Sequence, residues 1–275
     1  MSHAPGIDIN SDAGLRRAFD FEGSSVHQDL KKGERLKIKP DHFKVSGDGV
    51  FYTLQGEGDS MGRPACFLRL HFCNLKCSWC DAWYTWNPNT AEFWIESQDW
   101  TIQDTERKLV EAWGCDNPEI TKRVVITGGE PLIQKDRIDS LMQIMPGWIF
   151  EIETNGTLMP TTRMLEGCQF NCSPKLENSA NRSDWRIKAD VIQALNKVNT
   201  TFKFVVMTPD DIDEIESEYI SVFNLDINKI LLMPQGVTSR EVAVNALAVV
   251  EVAKERGYRL LGRLQCEIWG ARRKV

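Results

Sequence analysis

The sequence predicts an α/β protein whose parallel strands curl into a partial (β/α)6-type barrel. Three observations lead there. Six short runs rich in Val, Ile, Leu or Phe each stop at Gly, Pro, Asn or Ser, and near-continuous apolar runs suit strands covered on both faces of a parallel sheet. Segments of helical period lie between them, so βαβ units repeat. Polar residues gather just after the runs, where a parallel barrel carries its chemistry. An open doubly wound sheet makes a similar prediction at its switch point; the curled sheet is preferred.

The runs, in order, are "ACFLRLHF", "KRVVITGGEP", "GWIFEIETNGT", "CQFNCSPK", "TFKFVVMTP" and "KILLMPQGVT". Of the helical segments, "TIQDTERKLVEAW" puts Ile102, Leu109, Val110 and Trp113 on one face. In "TSREVAVNALAVVEVAKERG" a stripe forms from Val242, Ala246, Val249, Val250 and Ala253. Thr238 and Glu241 there have capping-box spacing, and Gly257 can end the helix. Residues 1–45 are polar and poorly periodic and read as a partly ordered N-terminal extension; residues 46–275 read as the barrel domain.

The 275 residues are 42% hydrophobic, enough for a core, and carry a formal net charge of -6. The basic stretches "KKGERLKIKPDHFK" and "ARRKV" are local and read as solvated surface. This charge balance disfavours a grip on nucleic-acid backbone and favours a small-molecule partner. No apolar run approaches the about 20 residues of a membrane-spanning helix. "MSHAPGIDIN" lacks the basic start and apolar stretch of a secretory signal, so a cytoplasmic protein is expected, with no membrane partner.

Of eight cysteines, Cys73, Cys77 and Cys80 cluster in "CNLKCSWCD" and the other five scatter. That is a metal pattern rather than a disulfide scaffold. Three thiolates can hold a cubane iron–sulfur cluster and leave one iron open to substrate or cofactor. On the cysteines alone two other readings stand: a zinc site completed by His71 or Asp81, or a cluster closed by a remote cysteine.

The CxxxCxxC spacing directly after a strand, with Trp79 before the third cysteine, resembles the signature of the radical S-adenosylmethionine superfamily. "TGGEP", Thr127 to Pro131, at the end of the next strand resembles its second hallmark. "LQGEG", "FLRLHFCNLKCSWCD", "ETNGT", "CSPK", "KFVV", "LMPQG" and "LQCEIWG" follow in the order of the 7-carboxy-7-deazaguanine synthase family, a resemblance covering residues 48–275.

The resemblance implies a radical enzyme that converts 6-carboxy-5,6,7,8-tetrahydropterin to 7-carboxy-7-deazaguanine with loss of ammonia, in queuosine and 7-deazapurine biosynthesis. It implies a 4Fe-4S cluster on Cys73, Cys77 and Cys80, with S-adenosylmethionine chelating the fourth iron. Cofactor contacts are implied for Trp79, Asp81, Gly129, Glu130, Glu153, Asn155, Ser173, Lys175 and Gln235. Substrate contacts are implied for Leu54, Gln55, Gly56, Glu57, Arg69 and Thr127, with the Arg69 fork suited to the substrate carboxylate. A flavodoxin or ferredoxin-type electron donor and a homodimer are further implications. The family also binds magnesium near the substrate through a Thr or Ser after the cysteine-loop Asp. Ala82 holds that position here and cannot ligate a hard cation, and Thr85 is near but does not match it, so magnesium dependence is open. Two rivals stand beside this reading: a glycyl-radical activase, which shares the cysteine motif but needs a protein-binding surface, and a non-enzymatic metal-binding module.

Overall fold

The structure, a computed structural model, describes residues 37–270 and residue 272. Residues 1–36 of the expected extension lie outside the described residues. Residues 42–45 do not behave as an extension, because the first strand starts at His42 and not at residue 46.

The strands are β1 (His42–Leu54), β2 (Pro64–Leu70), β3 (Ser97–Thr101), β4 (Arg123–Gly128), β5 (Ile149–Thr154), β6 (Cys168–Cys172), β7 (Thr200–Val206), β8 (Ile230–Pro234) and β9 (Arg259–Leu260). They form one sheet in the order β3-β1-β2-β4-β5-β6-β7-β8-β9. The six expected strands are β2 and β4 to β8, and each pairs in parallel with the next. A doubly wound sheet reverses its strand order midway. Here the order from β2 to β9 never reverses, and β9 does not pair back onto β3, so the sheet is an unclosed partial barrel. β1 is antiparallel to both β2 and β3 and extends one edge.

Helices return the chain between strands: α1 (Ala91–Ile95), α2 (Ile102–Ala112), α3 (Lys135–Ile144), α4 (Thr162–Gly167), α5 (Ser183–Arg186), α6 (Ala189–Asn196), α7 (Pro209–Glu214), α8 (Ser221–Phe223), α9 (Ser239–Arg256) and α10 (Leu264–Trp269). Their ends follow capping chemistry. Thr101 and Thr161 accept from the backbone N–H groups of Asp104 and Met164. Thr238 and Glu241 form the expected capping box, and Gly257 closes α9 at φ 77°. The stripe on α2 differs from expectation. Ile102 and Leu109 are buried and Trp113 packs against the core, but Val110 is exposed and Thr105 is the fourth buried-face residue. Positions i, i+3, i+7 and i+11 share a face, and Val110 falls one residue off it.

The core lies between the outer face of the sheet and the helices. Leu68 and Leu70, Val124 and Ile126, Phe150 and Ile152, Phe170 and Cys172, Phe202 and Phe204, Ile230 and Leu232 all belong to it. The alternate residues point the other way, as a period of two requires. Arg69, Thr127, Glu153, Lys203 and Met233 border the barrel cavity. Reading these strands as apolar on both faces was therefore half right: the outward face is apolar and the inward face is largely polar.

Candidate active site

The cavity opens where the parallel strands end and has a volume of about 700 Å³. Every residue expected at the site borders it except Glu130. Four chain segments build it.

The loop after β2 carries the three cysteines. Phe72, just before Cys73, sits at φ 77°, a region costly for a residue with a Cβ. Its backbone is fixed at both ends: its N–H donates to Thr85 O at 2.9 Å and its carbonyl accepts from Glu130 N at 2.8 Å. Phe72, Phe93 and Trp94 form a small apolar cluster with which the loop packs. The sulfurs receive weak hydrogen bonds: Leu75 N to Cys73 Sγ at 3.5 Å and Asn181 Nδ2 to Cys77 Sγ at 3.3 Å. Burial pushes all three thiols up, Cys80 to about 11. A cationic inorganic core that binds thiolate reverses that penalty.

These donors fit an iron–sulfur cluster better than a zinc ion. Among the described residues no three His, Cys, Asp or Glu side chains come close enough to hold one metal ion. His71 cannot complete a zinc site here. It is fully buried and wedged between aromatic rings, its centroid 4.4 Å from Phe93 in a tilted contact and 4.9 Å from Phe72 edge-on. Asp81 is bound by Arg263 at 2.6 Å. Of the five scattered cysteines, four do not border the cavity. Cys66 donates to Leu109 O and Cys168 meets Met142 Sδ, both in the outer core with Cys172. Cys266 borders the cavity but lies in the field of Arg263, Glu57 and Asp81.

The second segment is the glycine turn after β4. A Cβ on Gly129 would lie 1.9 Å from Phe72 O, and one on Gly128 2.0 Å from Leu70 O. The turn is thus pressed backbone to backbone against the cysteine loop, which only glycine permits. Glu130 lies behind the turn and does not border the cavity. Its carboxylate is fully buried and accepts from Leu132 N at 3.0 Å, Thr154 Oγ1 at 2.8 Å and Asn155 N at 2.7 Å. It joins the ends of β4 and β5 and so positions Asn155, whose Nδ2 donates to Asn74 Oδ1 at 2.8 Å.

Third, the ends of β6 and β8 supply Ser173, Lys175 and Gln235. Lys175 Nζ donates to Ser173 Oγ and to Ser173 O, both at 2.8 Å, and lies 5.6 Å from the Trp79 ring centroid. Trp79 is held by its indole N–H on Asn178 O at 3.1 Å. The Gln235 carbonyl accepts from Asn245 on α9 at 2.8 Å.

The fourth segment is the loop after β1, set over a buried charge ladder that sequence reading missed. Gln55 Nε2 donates to Glu151 Oε1 at 2.5 Å and to Glu153 Oε1 at 3.1 Å. Arg123 holds Glu151 at 2.6 Å, and Lys203 bridges Glu153 at 2.8 Å to Glu57. Arg263 Nε and Gln265 Nε2 reach Glu57 Oε1 at 2.8 and 2.7 Å. Burial alone would push the Glu57 carboxyl up, but the Lys203 and Arg263 charges hold it well below the usual carboxylate range. Burial would lower Lys203, and Glu153 and Glu57 keep it raised. Lys203 sits in the middle of a run that otherwise reads as apolar. The one signal for it was its inward register with Thr201 and Val205. Arg263 directly precedes the "LQCEIWG" stretch and has no local signal.

Of the polar side chains bordering the cavity, Arg69 and Thr127 stand side by side without a hydrogen-bond partner among the described residues. The Arg69 guanidinium makes no ion pair or hydrogen bond among the described residues and rests 5.7 Å from the Phe51 ring. Thr127, its register partner across β2 and β4, likewise has no side-chain hydrogen bond among them.

A partial parallel barrel, three thiols in a CxxxCxxC loop and a glycine turn pressed onto it define a radical S-adenosylmethionine enzyme. Residues 68–170 match the family described as the Radical SAM superfamily. The chain is 31% identical over 243 residues to the 7-carboxy-7-deazaguanine synthase of Halobacterium salinarum, covering 80% of this chain and 88% of that protein. It is 30% identical over 226 residues to the enzyme of that name from Pyrobaculum aerophilum, covering 80% and 93%. The chain belongs to the 7-carboxy-7-deazaguanine synthase family. The crystal structure of QueE from Escherichia coli shares its fold with a TM-score of 0.60 at 24% identity, over 81% of this chain and 94% of that one. The zinc and non-enzymatic readings fall away.

Proposed function

We propose that this cavity binds 6-carboxy-5,6,7,8-tetrahydropterin with its carboxylate on Arg69 and Thr127 and turns it into 7-carboxy-7-deazaguanine with loss of ammonia. The observation that carries the substrate pose is that pair of unclaimed groups. A guanidinium with no partner in a cavity calls for a planar anion, and its fork matches a carboxylate bidentately. A hydroxyl on the neighbouring strand adds a third donor.

When bound, the reduced 4Fe-4S cluster and S-adenosylmethionine supply a 5′-deoxyadenosyl radical that removes a hydrogen atom from the pterin. The chain's own residues then do the following. Cys73, Cys77 and Cys80 hold the cluster. Gly128 and Gly129 would present bare backbone to the methionyl part. Glu130 acts through Asn155 rather than by touching the cofactor. Ser173, Lys175, Trp79 and Gln235 line the cofactor side. Gln55 is spoken for on every polar atom, since its Oε1 accepts from Glu57 N, its N–H donates to Arg63 O and its carbonyl accepts from Gly62 N. It therefore shapes the loop, leaving Leu54 and Gly56 to meet the pterin.

The electron donor is a flavodoxin or ferredoxin, the assembly a homodimer, the compartment the cytoplasm and the catalytic unit the chain from the first strand onward, all in this reading. No helix is long and apolar enough to cross a membrane among the described residues. The test is anaerobic turnover with the pterin, S-adenosylmethionine and reductant. Formation of the deazaguanine supports the reading. Cleavage of S-adenosylmethionine with no product, and a glycyl radical on an added protein instead, would move it to the activase class.

A further inference from the structure

Arg263 occupies a position no catalytic scheme above requires. Its Nη2 lies 2.6 Å from Asp81 Oδ2, its Nε 2.8 Å from Glu57 Oε1, and its Nη1 donates to the carbonyl of Gly236. One guanidinium thereby joins the loop after β1, the end of the cysteine loop and the loop after β8. It does so across 182 and 206 residues of sequence and with its side chain only 15% exposed. We propose that Arg263 is the fixed cation of this site, standing beside Asp81 in place of a divalent metal, so that the reaction proceeds without magnesium. The proposal rests on the pterin-lyase reading and adds to it the ion requirement.

The donor set supports this. A magnesium ion needs near-octahedral oxygen ligands at about 2.0–2.1 Å, usually one or two carboxylates with waters and substrate. Asp81 already carries the guanidinium. Ala82, next to it, presents a methyl group. The Thr85 hydroxyl is fully buried and donates to Ala82 O at 2.7 Å, so it faces its own turn. Glu57 is taken by Lys203, Arg263 and Gln265, and Glu153 by Lys203, Gln55 and Asn171. The residues bordering the cavity include three carboxylates, Glu57, Asp81 and Glu153, against five basic groups, Arg69, Lys175, Lys203, Arg263 and Arg272. A cavity with surplus positive side-chain charge disfavours a divalent cation, and the guanidinium already occupies Asp81 Oδ2 and Glu57 Oε1.

Two measurements on the cluster-loaded protein decide it. The first is turnover after exhaustive chelation, with and without added magnesium. The wild type should give the same rate within about twofold. The second is Mn2+ binding followed by EPR with S-adenosylmethionine present. The wild type should leave the ion free. The Arg263→Gln/Ala82→Thr double variant removes the guanidinium and restores a hydroxyl. It should bind about one Mn2+ per chain and be stimulated by magnesium about tenfold or more. Loss of wild-type turnover on chelation with recovery on magnesium would overturn the proposal, and so would stoichiometric Mn2+ in the wild-type site. If the double variant fails to fold, both wild-type measurements still decide. If the wild type makes no deazaguanine under either condition, the lyase reading fails, and the Mn2+ measurement alone supports or overturns the role of Arg263.

Discussion

Replacing Gly129 by alanine tests whether the glycine turn sets the position of the cluster loop. The new Cβ would lie 1.9 Å from Phe72 O, 2.4 Å from Phe72 C and 3.0 Å from Cys73 N. All three are backbone atoms, so no side-chain rotation relieves the overlap. Ordinary contact is about 3.5 Å, so one backbone must retreat by roughly 1.6 Å. The hydrogen bonds Gly129 N to Leu70 O and Glu130 N to Phe72 O resist that movement. Overpacking of this kind costs about 1–3 kcal/mol, so Tm should fall by about 2–12 °C. The larger effect is on chemistry, because Cys73 moves with Phe72 and a displacement of about 1 Å can lower turnover about 10²-fold. The assay is iron and sulfide content after anaerobic reconstitution, the EPR change on adding S-adenosylmethionine, and turnover. A variant with full iron content, an unchanged EPR response and turnover within about twofold of wild type would refute the reasoning.

Arg69→Ala should lower kcat/KM for the pterin about 10²-fold, from loss of a bidentate charged contact worth about 3 kcal/mol, while the spectroscopic response to S-adenosylmethionine stays as in wild type; equal loss of both would assign Arg69 a general structural role. Asn181→Ala removes the N–H donor from Cys77 Sγ, so the cluster's reduction potential should become more negative in a redox titration, and an unchanged potential would show that this contact does not tune it. Glu57 has a folded pKa below its ordinary 4.5, so its contribution to stability is present above pH 4.5 and is lost as pH falls further toward the folded value. The Tm advantage of wild type over Glu57→Gln should therefore shrink in acid, and a gap constant with pH would contradict the ion-pair account.

The strands were legible because each buries an apolar outward face, and a run of Val, Ile, Leu and Phe survives even when alternate residues are polar. β1 was not. Its "SGDG" stretch reads as a turn, yet the strand continues through it. Gly47 and Gly49 take φ 65° and 71°, and the register shifts between Val45 and Val50, so β1 spends extra residues there against its partner β2. The cysteine loop and the glycine turn were legible because each is a local motif whose chemistry requires fixed spacing. For Glu130, sequence shows the neighbours along the chain but not Thr154 and Asn155, which claim its oxygens from the next strand. Lys203 and Arg263 escaped for the same reason. Their partners Glu57, Asp81 and Glu153 come from other segments, and nothing within a few residues of either cation announces a carboxylate.

The barrel interior pairs Arg123 with Glu151 and Lys203 with Glu153 and Glu57, the Gln55 amide joining the two groups, with most of these side chains sealed from solvent. Dissolved salt screens such a column far less than surface pairs such as Arg107 with Asp104. The floor beneath the reacting molecule is thus insulated, and its shape is indifferent to the saltiness of the medium.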